Sequence, residues 1–247
     1  MVLPHLREVL TRATEAKREA QDFSKLKRAM LKLGLMCTIA PSNLLELVRG
    51  VRAQHPGIEL QITDATAAAL YDQLASGELE VAICCDPERN NEERLHHVPL
   101  FRERFVIVLG VDHPLAEQDA IRVRDLDGQH YLERVHCEYA DFAGRIFEER
   151  GVHDRTVYRS DRDDWILAMA AAGLGYAFMP EQCARHPQVA VRPLIEPEIW
   201  REVSLVTVRG RPYSAAVGAL VREASRWRRQ RLFPDSVPDA TSAMAAE

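Results

Sequence analysis

The chain has 247 residues, 47% of them hydrophobic and 28% charged, with a formal net charge of −5. That length and balance fit one large globular unit or two smaller lobes with a real core. They exclude a strongly basic polyanion binder and a disordered polyelectrolyte.

The opening segment, MVLPHLREVLTRATEAKREA, reads as a helix with Leu3, Leu6, Leu10, Ala13 and Ala20 on a 3-4 seam and Pro4 in its first turn. Its other faces carry Arg7, Glu8, Arg12, Glu15, Lys17, Arg18 and Glu19. A stripe this narrow is expected to be covered by a partner helix. The segment has no apolar stretch of the kind a secretion signal needs. The longest apolar run, Trp165 to Pro180, is too short for a bilayer span and contains Gly173 and Gly175. The five cysteines (37, 84, 85, 137 and 183) form no CxxC pair, which predicts reduced thiols in a cytoplasmic protein.

From Leu31 the pattern changes. LKLGLMCTIA is a predicted strand, and Leu44, Leu45, Val48 and Val51 mark an amphipathic helix that stops before His55-Pro56-Gly57. IELQITDA is the next strand; Thr66 is placed to cap the helix AAALYDQLAS, and Gly77 to end it. ELEVAICC is a nearly continuous apolar run, as expected of a parallel strand buried on both faces. This alternation predicts a doubly wound α/β lobe. RERFVIVLG begins a second set of elements: HYLERV, a helix over about Tyr139 to Arg150, VYRSD, a helix from about Arg162 to Ala172, and YAFMP. VAVRPLI and REVSLVTVRG are the final strands. A last helix runs from Ser214 to about Arg229, with Val217, Leu220, Val221 and Ala224 on one face. Its basic cluster (Arg226, Arg228, Arg229, Arg231) reads as a solvated helix end rather than a DNA contact. The Pro-, Ser- and Ala-containing tail from Phe233 has no periodicity and is expected to be disordered.

The order of these pieces resembles the regulatory domain of LysR-type transcription regulators from Met1 to about Arg231. The resemblance is carried by the linker-like helix before LKLGLMCTIAPSNLLELVRGVRAQHPGIEL, by ALYDQLASGELEVAI, by VPLFRERFVIVLGVDHPLA and by AMAAAGLGYAFMPEQCA. It implies a type 2 periplasmic-binding-protein-like fold: two doubly wound α/β lobes joined by crossing strands near Arg104 to Val106 and Val203 to Leu205, preceded by a long dimerisation helix. The expected organisation is a linker helix over 1–30, a first lobe from 31–105 and 205–232, a second from 106–204, and the tail 233–247. The resemblance further implies a homodimer or homotetramer, a small-molecule effector in the cleft between lobes, and no catalytic activity or cofactor. Promoter DNA would be met only through a winged helix-turn-helix, which does not stand in this chain.

Candidate effector contacts follow from the strand-to-helix steps. Thr38 and Ser42 flank a step where free N–H groups and a hydroxyl suit an anion, or where both simply cap the helix. Thr66 occupies the next such step. Ser160, Asp161 and Arg162 lie in the analogous step of the second lobe and are expected to face Thr38, with Arg162 offering a fork to an anion or a surface salt bridge. Cys37 and Cys84 end neighbouring strands near the cleft. Cys84-Cys85 with His96-His97 is too loose a set for metal, so no metal site is expected. Trp165 and Tyr176 read as core.

His136-Cys137 stands before a helix, where an imidazole and a helix N-terminus favour the thiolate and reaction with peroxide or hypochlorite. Against this stands the reading of Cys137 as a small buried apolar residue. The segment resembles the peroxide-sensing OxyR branch of the family, as do Thr38 in MCTIAP and Thr66 in DATAAAL. That branch's resolving cysteine has no counterpart; Ile146 and Phe147 stand there instead, which leaves a one-cysteine sulfenate switch or a distant resolving partner. Two other classes remain open: a solute-binding transport receptor on a similar scaffold, and a thiol-dependent enzyme, for which nothing beyond His136-Cys137 suggests a constellation.

Overall fold

A computed structural model describes residues 28–85, 93–153 and 155–230. The expected dimerisation helix lies outside the described residues, apart from its last positions, where Ala29 and Met30 already belong to the first strand. The tail 233–247 also lies outside them.

Strand β1 (Ala29–Met36) buries Leu31 and Leu33 and exposes Met30 and Lys32, the alternation its sequence dictates. It pairs in parallel with β2 (Ile58–Ala65) and β3 (Val81–Cys84). The crossovers are helices α1 (Leu45–Gln54) and α2 (Ala67–Ser76). Thr66 caps α2 by accepting a hydrogen bond from the Ala69 N–H at 3.4 Å, and Gly77 ends the helix in the left-handed region at φ 83°. Gly34 lets α2 lie close on β1: a Cβ there would stand 2.5 Å from Leu70 Cδ2 and 2.7 Å from Leu79 Cδ1. All four residues of β3 are buried, as its unbroken apolar run predicts.

The 16-residue strand β4 (Leu95–Gly110) joins the two lobes. Its first part runs antiparallel to β10 (Trp200–Val208), from Leu95 opposite Val208 to Arg104 opposite Trp200. Beyond Arg104 it changes partners, pairing with β8 (Ala177–Pro180) and β9 (Val189–Ile195). The change of partners along β4 thus follows Arg104, near the outward crossing that the family resemblance implies. The return lies earlier than Val203 to Leu205, because Ser204, Leu205 and Val206 already pair with β3. The main sheet runs β2-β1-β3-β10-β4-β9-β5, with β5 being Ile121–Arg122.

Beyond β8 lie the parallel pair β6 (His130–Arg134) and β7 (Arg155–Ser160). Hydrogen bonds Leu132 N–H to Tyr176 O and Tyr176 N–H to His130 O, both 2.8 Å, attach β6 to the chain entering β8. Gly175 allows this approach, since a Cβ there would meet the His130 carbonyl oxygen at 2.4 Å. Helices α3 (Ala140–Glu149) and α4 (Asp163–Ala171) belong to this second lobe. Tyr176 is core, as expected; Trp165 is not. It is 57% exposed, because α4 turns Ile166, Leu167 and Ala170 inward and leaves Trp165 on its outer side. The last helix, α5 (Ala215–Gln230), packs against α1. Its Trp227 meets the ring of Phe101 edge-on and donates to Glu46 Oε2 at 3.1 Å. Arg226 is paired with Glu223 on the same helix, consistent with a solvated helix end.

Candidate functional site

The junction between the lobes is built on Arg201, in β10, whose side chain is fully buried. The register places Glu103 of β4 directly opposite it, and the two charges meet across the strands. Arg201 Nε donates to Glu103 Oε1 at 3.0 Å and Nη2 to the same oxygen at 2.7 Å. Nη2 also donates to the carbonyl of Thr38 at 2.8 Å, and Nη1 donates to Thr38 Oγ1 at 2.9 Å. The remaining contact of Nη1 is a short hydrogen bond to Glu138 Oε1. A guanidinium has five N–H donors, and these five bonds occupy all of them.

Glu138 comes from the loop between β6 and α3, in the second lobe. Its other oxygen accepts the Thr38 hydroxyl at 2.8 Å. Thr38 follows β1 in the first lobe and is itself buried. Thr38, Glu138 and Arg201 thus form a closed triangle that ties the lobes together. Two carboxylates, Glu103 and Glu138, thus face one guanidinium. Asn43 Nδ2 donates to Glu103 Oε2 at 3.4 Å, and the Phe105 ring lies 5.6 Å from Arg201 Cζ.

A second buried guanidinium stands at the end of β6. Arg134 is 2% exposed and forms a fork-to-fork pair with Asp163, Nε to Oδ1 at 2.6 Å and Nη2 to Oδ2 at 2.9 Å. Its Nη1 is buried and has no hydrogen-bond partner among the described residues.

Thiols collect around these charges. Burial pushes the Cys137 thiol up to about 11, with Glu138 adding to the rise and Arg134 and Arg201 opposing it. Burial pushes Cys183 up to about 12, again against Arg134 and Arg201. Cys183 Sγ donates to the Thr38 carbonyl at 3.3 Å. Burial also raises Cys85 and its hydrogen-bonded neighbour Tyr139. Cys37 is exposed and its thiol too is raised, first by desolvation and then by Glu138. All five cysteines are free thiols.

The sequence pattern of the LysR substrate binding domain family matches residues 24–229, most of the chain. The chain belongs to this LysR family. It is 28% identical over 218 residues to the DNA-binding transcriptional dual regulator OxyR of Escherichia coli (strain K12), covering 86% of this chain and 70% of that protein. It is 28% identical over 220 residues to a hydrogen peroxide-inducible genes activator of Dickeya chrysanthemi, with the same two coverages. The structure of the oxidised form of OxyR superposes with TM-score 0.68 at 27% identity, covering 83% of this chain and 97% of that one. The effector-binding domain of QuiR in complex with shikimate superposes with TM-score 0.74 at 20% identity, covering 83% and 100%. The fold is therefore the two-lobed, periplasmic-binding-protein-like one that the sequence order implies, and the family is one of transcription-regulator domains rather than enzymes. No helix among the described residues is long and apolar enough to cross a membrane.

The LysR domain sorts the sequence-predicted residues clearly. Thr38 is at the junction, but it does not cap a helix: a 3-10 turn (Pro41–Asn43) precedes α1, and neither element has a side-chain cap. Ser42 is exposed on that turn. Thr66 caps α2 and Cys84 is buried with its Sγ 3.7 Å from Tyr71 Oη, so neither belongs to the triangle. Cys37 and Cys137 lie within the field of Arg134 and Glu138. His136 is exposed while Cys137 is buried, and the groups bearing on the thiol are Arg134, Glu138 and Arg201. The expected thiolate stabilisation is reversed, because desolvation outweighs the two guanidiniums.

Ser160, Asp161 and Arg162 do not face Thr38. Arg162 is exposed and paired with Asp164 in its own turn, and Ser160 Oγ accepts from the Arg162 N–H at 3.1 Å. Glu138 takes the place expected for them. Among the described residues, no group of three or more His, Cys, Asp or Glu side chains converges on a metal site, Cys84, Cys85, His96 and His97 included. Glu103, Arg201, Arg134 and Glu138 are the site residues that sequence reasoning missed. The available signal was a charge at an inward position of two apolar strands, Glu103 in RERF and Arg201 in REVS.

Proposed function

We propose that this LysR domain is the effector-sensing and dimerising part of a cytoplasmic transcription regulator, and that a small, anionic molecule is sensed at the lobe junction. The supporting observation is the direct bond of Glu138 in the second lobe to Thr38 and Arg201 in the first. Every Arg201 donor is occupied, so a ligand that binds Arg201 must exchange with Glu138 and loosen that tie. A ligand shifts the lobe arrangement only by its difference in affinity for the two states, and this exchange supplies one. In this reading the first lobe is residues 31–105 together with β10 and the helix after it, because β10 pairs with β3 and with the first part of β4, and the second lobe is the chain between, in place of the expected change at 204–205. The helix over 1–30 would pair with its twin in a homodimer or homotetramer, and promoter DNA would be bound through a helix-turn-helix domain. Cys37, Thr38 and Cys137 remain effector-contact candidates; Ser42, Thr66, Cys84, His136, Ser160, Asp161 and Arg162 would be peripheral.

A thermal-shift screen of small carboxylates tests this reading. Shikimate belongs in it, as the molecule bound in the QuiR domain. At least one carboxylate should raise the Tm of the chain, and Thr38→Val should abolish the rise. A screen in which no carboxylate moves the Tm would overturn the reading.

A second reading, oxidant sensing at Cys137, is favoured by the relatives described as hydrogen peroxide-inducible activators. The two guanidiniums near Cys137 would help a thiolate, but burial holds the thiol protonated at neutral pH. Sulfenate trapping after mild peroxide should label Cys137 and vanish in Cys137→Ser. Equal labelling of all five thiols removes this reading.

A further inference from the structure

The two buried guanidiniums at the junction differ in a way that names a ligand-binding group. Arg201 has an acceptor for each of its five N–H groups and two carboxylates beside it. Arg134 is as deeply buried, yet Asp163 engages only its Nε and Nη2, and Nη1 has no acceptor among the described residues. Buried donors are nearly always satisfied by protein, water or ligand, so an orphaned guanidinium edge asks for one. The neighbouring thiols of Cys37, Cys137 and Cys183 lie within the field of Arg134 and are weak acceptors. The Arg134 carbonyl accepts the Cys137 N–H at 3.1 Å, and the next residue, Glu138, accepts the hydroxyl of Thr38 in the first lobe, which places Arg134 beside the junction.

Charge points the same way. Around Arg201 two carboxylates already occupy the places an incoming anion would take, so it enters there only if Glu138 leaves. The Arg134–Asp163 contact pairs one guanidinium with one carboxylate, and the unpartnered Nη1 has two diverging N–H donors to offer an oxyanion. We propose that Nη1 of Arg134 is the receptor for the oxyanion, a carboxylate in the first instance, of the molecule sensed at this junction. This assignment rests on the junction being the effector site. It identifies the anchoring group there as Arg134 rather than Arg201 or Arg162.

The test uses the full chain with sodium formate as probe, set against sodium chloride at equal ionic strength. The readout is the formate-dependent change in Tm up to about 100 mM, not the Tm itself. Formate should raise the Tm of the wild-type chain and of Glu138→Gln, and leave Arg134→Lys unmoved, since lysine keeps the charge and lacks Nη1. Should Arg134→Lys not fold by far-UV circular dichroism, the double variant Arg134→Gln/Asp163→Asn replaces it, because that pair keeps a neutral hydrogen bond in place of the ion pair. An equal formate response in wild type and the Arg134 variant overturns the assignment, as does no response in wild type. The carboxylate screen is read separately. A screen hit lost in Thr38→Val but retained in Arg134→Lys removes only Arg134, whereas an empty screen removes the junction reading itself.

Discussion

Arg201 and Arg134 pose the same physical problem and meet different solutions. Both are guanidiniums taken out of water, which is costly unless geometry and hydrogen bonding repair the loss. At Arg201 the repair is complete and comes from three separate stretches of chain: Glu103 on the facing strand, the Thr38 step and the Glu138 loop. At Arg134 it is partial and comes from one residue, Asp163, in the first turn of α4. The complete site holds the lobes together; the partial one retains donors to offer. Burial by itself therefore does not distinguish a structural charge from a receptive one. The count of occupied donors does.

Alanine substitution should separate the two most sharply. Arg201→Ala leaves Glu103 and Glu138 buried without their counter-charge, and breaking such a cluster from one side typically costs about 3–5 kcal/mol. Arg134→Ala leaves only Asp163, whose side chain is 31% exposed and regains water, so about 1–3 kcal/mol is expected. Urea unfolding monitored by far-UV circular dichroism measures both. Equal losses would mean that the completeness of the Arg201 network carries no extra stability.

The same contrast explains what the sequence revealed and what it withheld. Local chemistry was legible: the capping pair Thr66 and Gly77 and the unbroken apolar run of β3. Each depends on residues close together in the chain. Thr38 was legible as a site residue because it stands at a strand end. Its partners were not, since Glu138 lies 100 positions away and Arg201 163, and no periodicity encodes which strands and loops will meet. Arg162 looked receptive for its place in the chain, but Asp164 two residues on captures it at the surface. Trp165 misled for a related reason. It stands beside buried neighbours, and only the rotation of α4 decides which side of the helix turns inward.

A smaller effect should appear in alkali, where the guanidiniums compete with burial. The Cys137 thiol ionises near 9 in an unexposed-charge-free chain and at about 11 in the fold. Between those values the unfolded chain binds fewer protons than the native one, so the free energy of unfolding must fall as pH rises. One such thiol contributes a slope of roughly 1.4 kcal/mol per pH unit at most. Cys183, raised to about 12, extends the decline upward. Denaturant titrations between pH 8.5 and 10.5, values chosen to sit within about a unit of that window, should show a shallower decline in Cys137→Ser than in wild type. Parallel slopes would mean that the guanidiniums cancel the desolvation and that folding leaves the thiol's ionisation unshifted.

The smallest expected effect concerns the two threonines at matching strand-to-helix steps. Thr66 only caps α2, through a long 3.4 Å bond, so Thr66→Ala should cost about 0.5–1 kcal/mol, the lower part of the range for N-caps. Thr38 donates to one buried charge and accepts from another, and Thr38→Val should cost more, since both Glu138 and Arg201 then lose a partner. Chemical denaturation of the two variants side by side decides the point. If the losses match, the hydroxyl of Thr38 is no more than a turn residue, and the triangle is held by charge alone. If Thr38 is the costlier, the first lobe's step has been turned from helix capping to holding the other lobe, and its hydroxyl is what a ligand exchanging with Glu138 must satisfy in its place.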